Sequence, residues 1–253
     1  MILEICAGSW DSVLAAKRGG AHRVELCSGL DEGGLTPSWG LIDKVCGLEG
    51  IQKHVLIRPR GGDFLYSDDE KEIILRDIEM ARSLHADGVV VGALLADGNI
   101  DLDFLHQCVA AAQGMNVTFH RAFDLCANPF EALEQIISAG CNRLLTSGQA
   151  STALDGADML QKLVEMAGSR LAIMPGCGVT SENAAAILTK TGAKEIHASA
   201  RSLKKSVMKF RHEGVEMGKA GSDEYSLKVT DEAIVRQICA EISKFVNRLK
   251  SAK

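Results

Sequence analysis

Along this chain the spacing of apolar residues changes back and forth between two periods. Short β-branched runs alternate with longer stretches in which apolar residues recur at helical spacing. The runs Ile2–Cys6, Arg23–Cys27, His54–Arg58, Gly88–Val91, Val117–His120, Arg143–Thr146, Leu171–Met174 and Glu195–Ser199 predict eight strands. The stretches between them, Asp11–Arg18, Trp39–Cys46, Asp69–Leu84, Asp103–Ala112, Pro129–Ser138, Met159–Met166 and Glu182–Thr191, predict helices. The third helix carries the clearest pattern: Ile73, Ile74, Ile78, Ala81 and Leu84 form one stripe, with Glu70, Lys71, Arg76 and Glu79 off it. Strands that alternate with helices require parallel pairing and right-handed crossovers, and eight such units close into a (β/α)8 barrel.

Two details favour the barrel over an open doubly wound sheet. Gly176-Cys177-Gly178, the nearest approach to a dinucleotide fingerprint, follows the seventh strand instead of the first. Leu3-Glu4-Ile5-Cys6 is echoed by Val24-Glu25-Leu26-Cys27, so two strands end in the same motif with Glu and Cys on one face. After the eighth strand the rhythm breaks. Residues 203–230 are expected to form a long loop of the kind that serves as a lid, binding loop or subunit contact. A C-terminal helix over 231–250 follows, with Ile234, Ile238, Ile242, Phe245 and Leu249 as its stripe and Thr230 or Asp231 as its cap.

At 253 residues and 46% hydrophobic, the chain suits one barrel domain spanning 1–253. The net charge of -5 provides no global attraction to nucleic acid or to an anionic membrane, so either partner would need a local patch, and neither is expected. The opening MILEICAGSWDS lacks a basic n-region and a long apolar run, so a soluble cytoplasmic protein is expected. The eight cysteines are scattered, without CxxC or HExxH, and are expected to be reduced thiols. No organic cofactor is predicted.

In a parallel barrel the chemistry gathers where strands end. Cys6 and Cys27 close adjacent strands with matched parity: they are either small buried fillers or a pair of soft ligands suited to Cu(I). Glu4 and Glu25 need cationic partners inside a barrel, which Arg58 and Arg60 can supply, either as a structural ion-pair layer or as an acid/base pair. His120, at the end of the fifth strand beside Arg121 and Asp124, is a candidate base or ligand, and His197 is a second. Gly176 and Gly178, leading into a helix whose first turn carries Thr180, Ser181 and Glu182, are either a tight turn or an anion loop, with Arg201 to complete it. A basic run, Arg201, Lys204, Lys205, Lys209 and Arg211, lies in the long loop.

Four separated motifs bring a family into view: Gly33-Gly34-Leu35-Thr36-Pro37-Ser38, Ile57-Arg58-Pro59-Arg60-Gly61-Gly62-Asp63-Phe64, Thr118-Phe119-His120-Arg121-Ala122-Phe123-Asp124 and Leu145-Thr146-Ser147-Gly148. Together with His197-Ala198-Ser199-Ala200-Arg201 they resemble the CutC family, and Met208-Lys209-Phe210-Arg211 with Tyr225-Ser226-Leu227-Lys228 resemble its animal-type branch. The resemblance implies a cytoplasmic TIM-barrel homo-oligomer, dimer or tetramer, of copper homeostasis, with Cys6 and Cys27 matching the cysteines proposed to bind Cu(I). Where the family commonly has three glycines after the seventh strand, this chain has Cys177 in the middle. The alternative is an enzyme acting on a small anionic, phosphorylated substrate, with Arg58, Arg60 and Arg201 holding the charge and His120, Glu4 and Glu25 moving protons.

Overall fold

The computed structural model describes residues 1–212, 214, 215, 217 and 223–251, with residue 249 described by its backbone alone. Eight parallel strands form the wall: β1 (Ile2–Ala7), β2 (Arg23–Leu26), β3 (Gln52–Leu56), β4 (Gly88–Val91), β5 (Asn116–Phe119), β6 (Arg143–Thr146), β7 (Ala172–Pro175) and β8 (Glu195–Ala198). Their order is β7-β6-β5-β4-β3-β2-β1-β8, and β7 packs against β8 to close the ring without a hydrogen-bonded ladder. Outside lie α1 (Trp10–Gly19), α2 (Trp39–Cys46), α3 (Asp68–Ser83), α4 (Leu102–Ala112), α5 (Pro129–Ser138), α6 (Ala157–Ala167), α7 (Ala184–Thr191) and α8 (Glu232–Ser251). This is the (β/α)8 barrel that the alternating periods predict.

Side-chain caps fix where several helices begin. Ser9, Ser38, Asp101 and Asn128 each accept an amide of the first turn, and Ser67 forms a reciprocal capping box with Glu70. On α3, Ile74, Ile78 and Ala81 are buried as the stripe requires, but Ile73 is 48% exposed because it sits one position off the sheet-facing line. Asp231 caps α8, its Oδ1 accepting from the amides of Ala233 at 2.8 Å and Ile234 at 3.4 Å. The buried line of α8 runs through Val235, Ile238, Ile242 and Phe245; Leu249 has its side chain outside the described residues. Gly19 lets α8 approach, since a Cβ there would lie 2.5 Å from Val235.

Strand register places the interior side chains in layers drawn from alternate strands. From the N-terminal end upward they are Arg23, Gly88, Arg143 and Glu195; then Glu4, His54, Thr118 and Met174; then Glu25, Val90, Leu145 and His197; then Cys6, Leu56, His120 and Gly176. The glycines compensate for the histidines. A Cβ on Gly88 would lie 2.7 Å from the His54 ring, one on Gly92 would lie 2.4 Å from His120 Nδ1, and one on Gly176 would lie 3.3 Å from His197 Cβ.

The stretch 203–230 begins and ends as structure. β9 (Arg201–Lys205) and β10 (Ser226–Thr230) pair antiparallel, forming a two-stranded ribbon separate from the barrel wall. Among the described residues no helix is long and apolar enough to cross a membrane.

The glycine–histidine fit yields a prediction. Gly92→Ala forces its methyl group into the His120 ring and lowers stability by about 1–3 kcal/mol. Combining it with His120→Ala gives a loss smaller than the sum of the two single losses, as read by urea unfolding.

Candidate functional site

The barrel axis is ionic from its base to its middle. Glu195 Oε2 accepts from Arg143 Nε at 2.5 Å and from Arg23 at 2.6 Å, and Arg23 Nε donates in turn to Glu4 Oε2. Glu4 is 0% exposed, and its other oxygen accepts from His197 Nδ1 at 2.7 Å. Glu4 and Glu25 therefore do not draw on Arg58 or Arg60. The partner of Glu4 comes from the start of its neighbouring strand, because Arg23 lies two residues before Glu25 and faces the same interior.

Above this column four groups converge. His197 Nε2 lies 3.8 Å from Glu25 Oε2, and Cys6, beside this ring, packs with Cys27 in one buried cluster. Cys6 is 6% exposed and Cys27 is fully buried, with Leu56, Val90 and Leu30 packed around them. The Cys27 thiol is also 3.8 Å from the Ala7 carbonyl.

These contacts set the charge states. The Cys27 thiol beside it and the His197 and Arg201 charges hold the Cys6 thiol well below its usual range, although burial works against them. Cys27, facing Cys6 and itself desolvated, is pushed well above the usual thiol value. Burial opposes charge on both His197 and Glu4. Their mutual bond, with Cys6 beside the one and Arg23 beside the other, nevertheless holds His197 up and Glu4 down. Glu25 is pushed up to about 8 by burial, with the Glu4 and Cys6 charges adding to the rise and His197 opposing it. The cluster thus favours loss of the proton at Glu4 and Cys6 and its retention at Cys27, His197 and Glu25.

The remaining predicted residues lie elsewhere. Arg58 is buried, donating to the carbonyls of Glu32 at 2.8 Å, Gly34 at 3.0 Å and Gly62 at 2.7 Å, so it fastens loops together. Arg60 sits at the rim, bound to Glu70 at 2.5 Å and Asp63 at 3.2 Å. Arg201 is half-buried on β9, 4.0 Å from Asp31. The Gly176 amide donates to the Thr146 carbonyl at 3.0 Å, and α7 begins at Ala184, beyond a turn in which Asn183 bonds both the Thr180 amide and the Gly178 carbonyl at 2.8 Å. The helix start predicted at Thr180 to Glu182 is thus part of that turn.

His120 is 5% exposed; its Nδ1 accepts from the Ala122 amide at 3.2 Å, while Nε2 is buried without a protein partner. Burial, with the Arg58 charge nearby, lowers its pKa to about 3, so the ring is neutral. Its neighbour Asp124 accepts from Arg121, Thr146, Ser147 and Gln149, locking the loops after β5 and β6. Sequence reasoning missed Arg23, Arg143 and Glu195; the signal was parity, since each shares a strand face with a residue already suspected or paired with one.

The pH dependence follows from Glu25. Its folded pKa is raised above the unfolded value of 4.5, so its stabilising contribution is complete below that value and is lost as pH rises towards about 8. His197, also raised, loses its contribution in the same direction at higher pH, whereas the lowered Glu4 loses its own only on the acid side. His54 and His120, lowered to about 4 and about 3, and the lowered Cys6 gain stability as pH rises, but they do so equally in wild type and in Glu25→Gln. In denaturant titrations the wild type should therefore lose stability relative to Glu25→Gln between about pH 5 and pH 8.

Comparison with known proteins places this geometry in a lineage. The CutC family model matches residues 1–202. A CutC family protein of Chromobacterium violaceum is 51% identical over 243 residues, covering 96% of this chain and 98% of its own. The human copper homeostasis protein cutC homolog is 49% identical, over 94% of this chain and 88% of its own. A solved CutC structure from Streptococcus agalactiae superimposes with a TM-score of 0.74 at 35% identity, covering 78% of this chain and 97% of its own.

Proposed function

The chain belongs to the CutC family, and from that premise we propose that it is a cytosolic Cu(I)-binding protein of copper homeostasis that takes the ion between Cys6 and Cys27. The human relative's name supports the copper homeostasis role. The observation that carries the reading is the packing of Cys6 and Cys27 in one buried cluster at the ends of adjacent strands, where their surroundings lower the Cys6 thiol well below its usual range.

The donor chemistry suits the cargo. Soft thiolates select Cu(I), which two sulfurs suffice to hold, whereas zinc asks for a fuller set. Among the described residues no group of three or more His, Cys, Asp or Glu side chains is arranged to hold a metal ion. Cys6, with its pKa lowered, gives up its proton more readily than Cys27 and is the first ligand; each thiol releases its proton as its bond to the ion forms. Two thiolates and Cu(I) together carry one negative charge, and the His197 imidazolium lies beside Cys6 to balance it. Leu30, Leu56 and Val90 shield the pair from water.

A second reading, an enzyme on a small anionic substrate, has one observation in its favour. His120 Nε2 and Arg58 Nε are buried donors without partners near the barrel mouth.

Competitive Cu(I) titration of the reduced protein against a chromophoric chelator separates the two readings. Tight one-to-one binding, abolished in Cys6→Ser/Cys27→Ser and retained in Arg58→Ala, is the expected result. Weak binding indifferent to both cysteines overturns the copper reading. In that case a rise in melting temperature with phosphate compounds, erased by His120→Ala, supports the enzyme.

A further inference from the structure

The β9–β10 ribbon carries apolar side chains that the barrel does not bury. Val207 is 93% exposed, Phe210 72%, Leu203 69%, and Met208 and Leu227 57% each. Exposed apolar surface concentrated on one segment marks a contact site. Its neighbours are basic: Lys204, Lys205, Lys209 and Arg211 fall between Leu203 and Arg211, and that run contains no acidic residue. Residues 201–230 hold seven Lys and Arg against four Asp and Glu, in a chain of net charge -5. The sign of the field reverses here.

The ribbon is anchored at its root. Lys228 Nζ meets Asp31 Oδ1 at 2.8 Å, Lys204 Nζ meets Asp11 Oδ2 at 3.6 Å, and Ser202 Oγ donates to Asp231 at 2.9 Å. Further out, the Arg211 guanidinium stacks 4.6 Å from the Tyr225 ring centroid. Thr230 Oγ1 lies 3.5 Å from the Cys6 carbonyl, so the root stands beside the thiol pair at the C-terminal face of the barrel.

Charge complementarity selects the occupant. The cores of protein interfaces are depleted in lysine, whereas anionic lipid surfaces are met by bulky apolar side chains interleaved with Lys and Arg. We propose that residues 203–211, the end of β9 and the segment that follows it, dock peripherally on an anionic lipid surface. Val207, Met208 and Phe210 enter the boundary between headgroups and acyl chains, and Lys205, Lys209 and Arg211 meet the lipid anions. The local patch supplies what the overall charge withholds. Because the rest of the chain is acidic, the protein approaches such a surface ribbon first, with the C-terminal face of the barrel turned towards it. This inference goes beyond the copper reading and stands without it.

The test is flotation of the full chain with vesicles of phosphatidylcholine alone or with roughly 30% phosphatidylserine. The protein should float only with the anionic vesicles, and less as salt is raised. Lys205→Glu/Lys209→Glu/Arg211→Glu should lower partitioning at least roughly a hundredfold, each cation contributing about fivefold. Val207→Ser/Phe210→Ser should also release the protein, with an unchanged melting temperature in both variants showing that the barrel is intact. Absence of flotation, or equal flotation by the charge-reversed variant, overturns the proposal. So does a change in solution mass of Val207→Ser/Phe210→Ser without lipid, which would assign the face to a second copy of the chain.

Discussion

Much of this barrel depends on one carboxylate. Glu4 is fully buried, and an ion taken that far from water is tolerated only when both oxygens are well partnered. Its two oxygens face different ways in function. One joins Arg23, and through it Glu195 and Arg143, in a charge-balanced layer at the barrel base. The other accepts a hydrogen bond from His197 Nδ1, fixing the ring so that Nε2 is left on the side of Glu25. The same residue thus joins the layer that holds the strands together to the layer that carries the chemistry.

The working face divides into unequal halves. Around β1, β2 and β8 the polar groups are coupled and titratable, and they set one another's charge. Around β3, β5 and β6 the charged groups are already committed to the fold through most of their polar atoms: Arg58 binds carbonyls, and Asp124 collects donors from two loops, while Arg58 Nε and His120 Nε2 keep no protein partner. Arginines and acids at strand ends look alike in a sequence, and only their partners distinguish an open binding group from a fastening.

Fold was legible because it rests on period. The eight strands and their helices appear close to the positions the apolar spacing predicts, since burial of one face per element leaves little freedom. The parity of Glu4 with Cys6 and of Glu25 with Cys27 was equally readable, and those residues do lie together with His197. Partner choice was not readable. Arg58 stands next to a glycine-rich loop whose carbonyls claim it, while Arg23 reaches Glu4 through strand register, which depends on the whole sheet. The ribbon at Arg201–Lys205 and Ser226–Thr230 was hidden for a related reason: its strands are short, half polar and separated by about twenty residues, so pairing and not pattern defines them.

Among the described residues seven ladders join the eight strands, while β7 and β8 pack together without one. A cylinder stapled all round resists shear in every direction, but one closed along a single line by packing has an axis on which it can breathe. His197 lies on that line, with Gly176 against its Cβ. Small relative movement of the two strands therefore changes the reach of His197 towards Cys6 while β1 and β2, which carry both sulfurs, stay laced together. The barrel has in effect one hinge stile, and the imidazole is mounted on it.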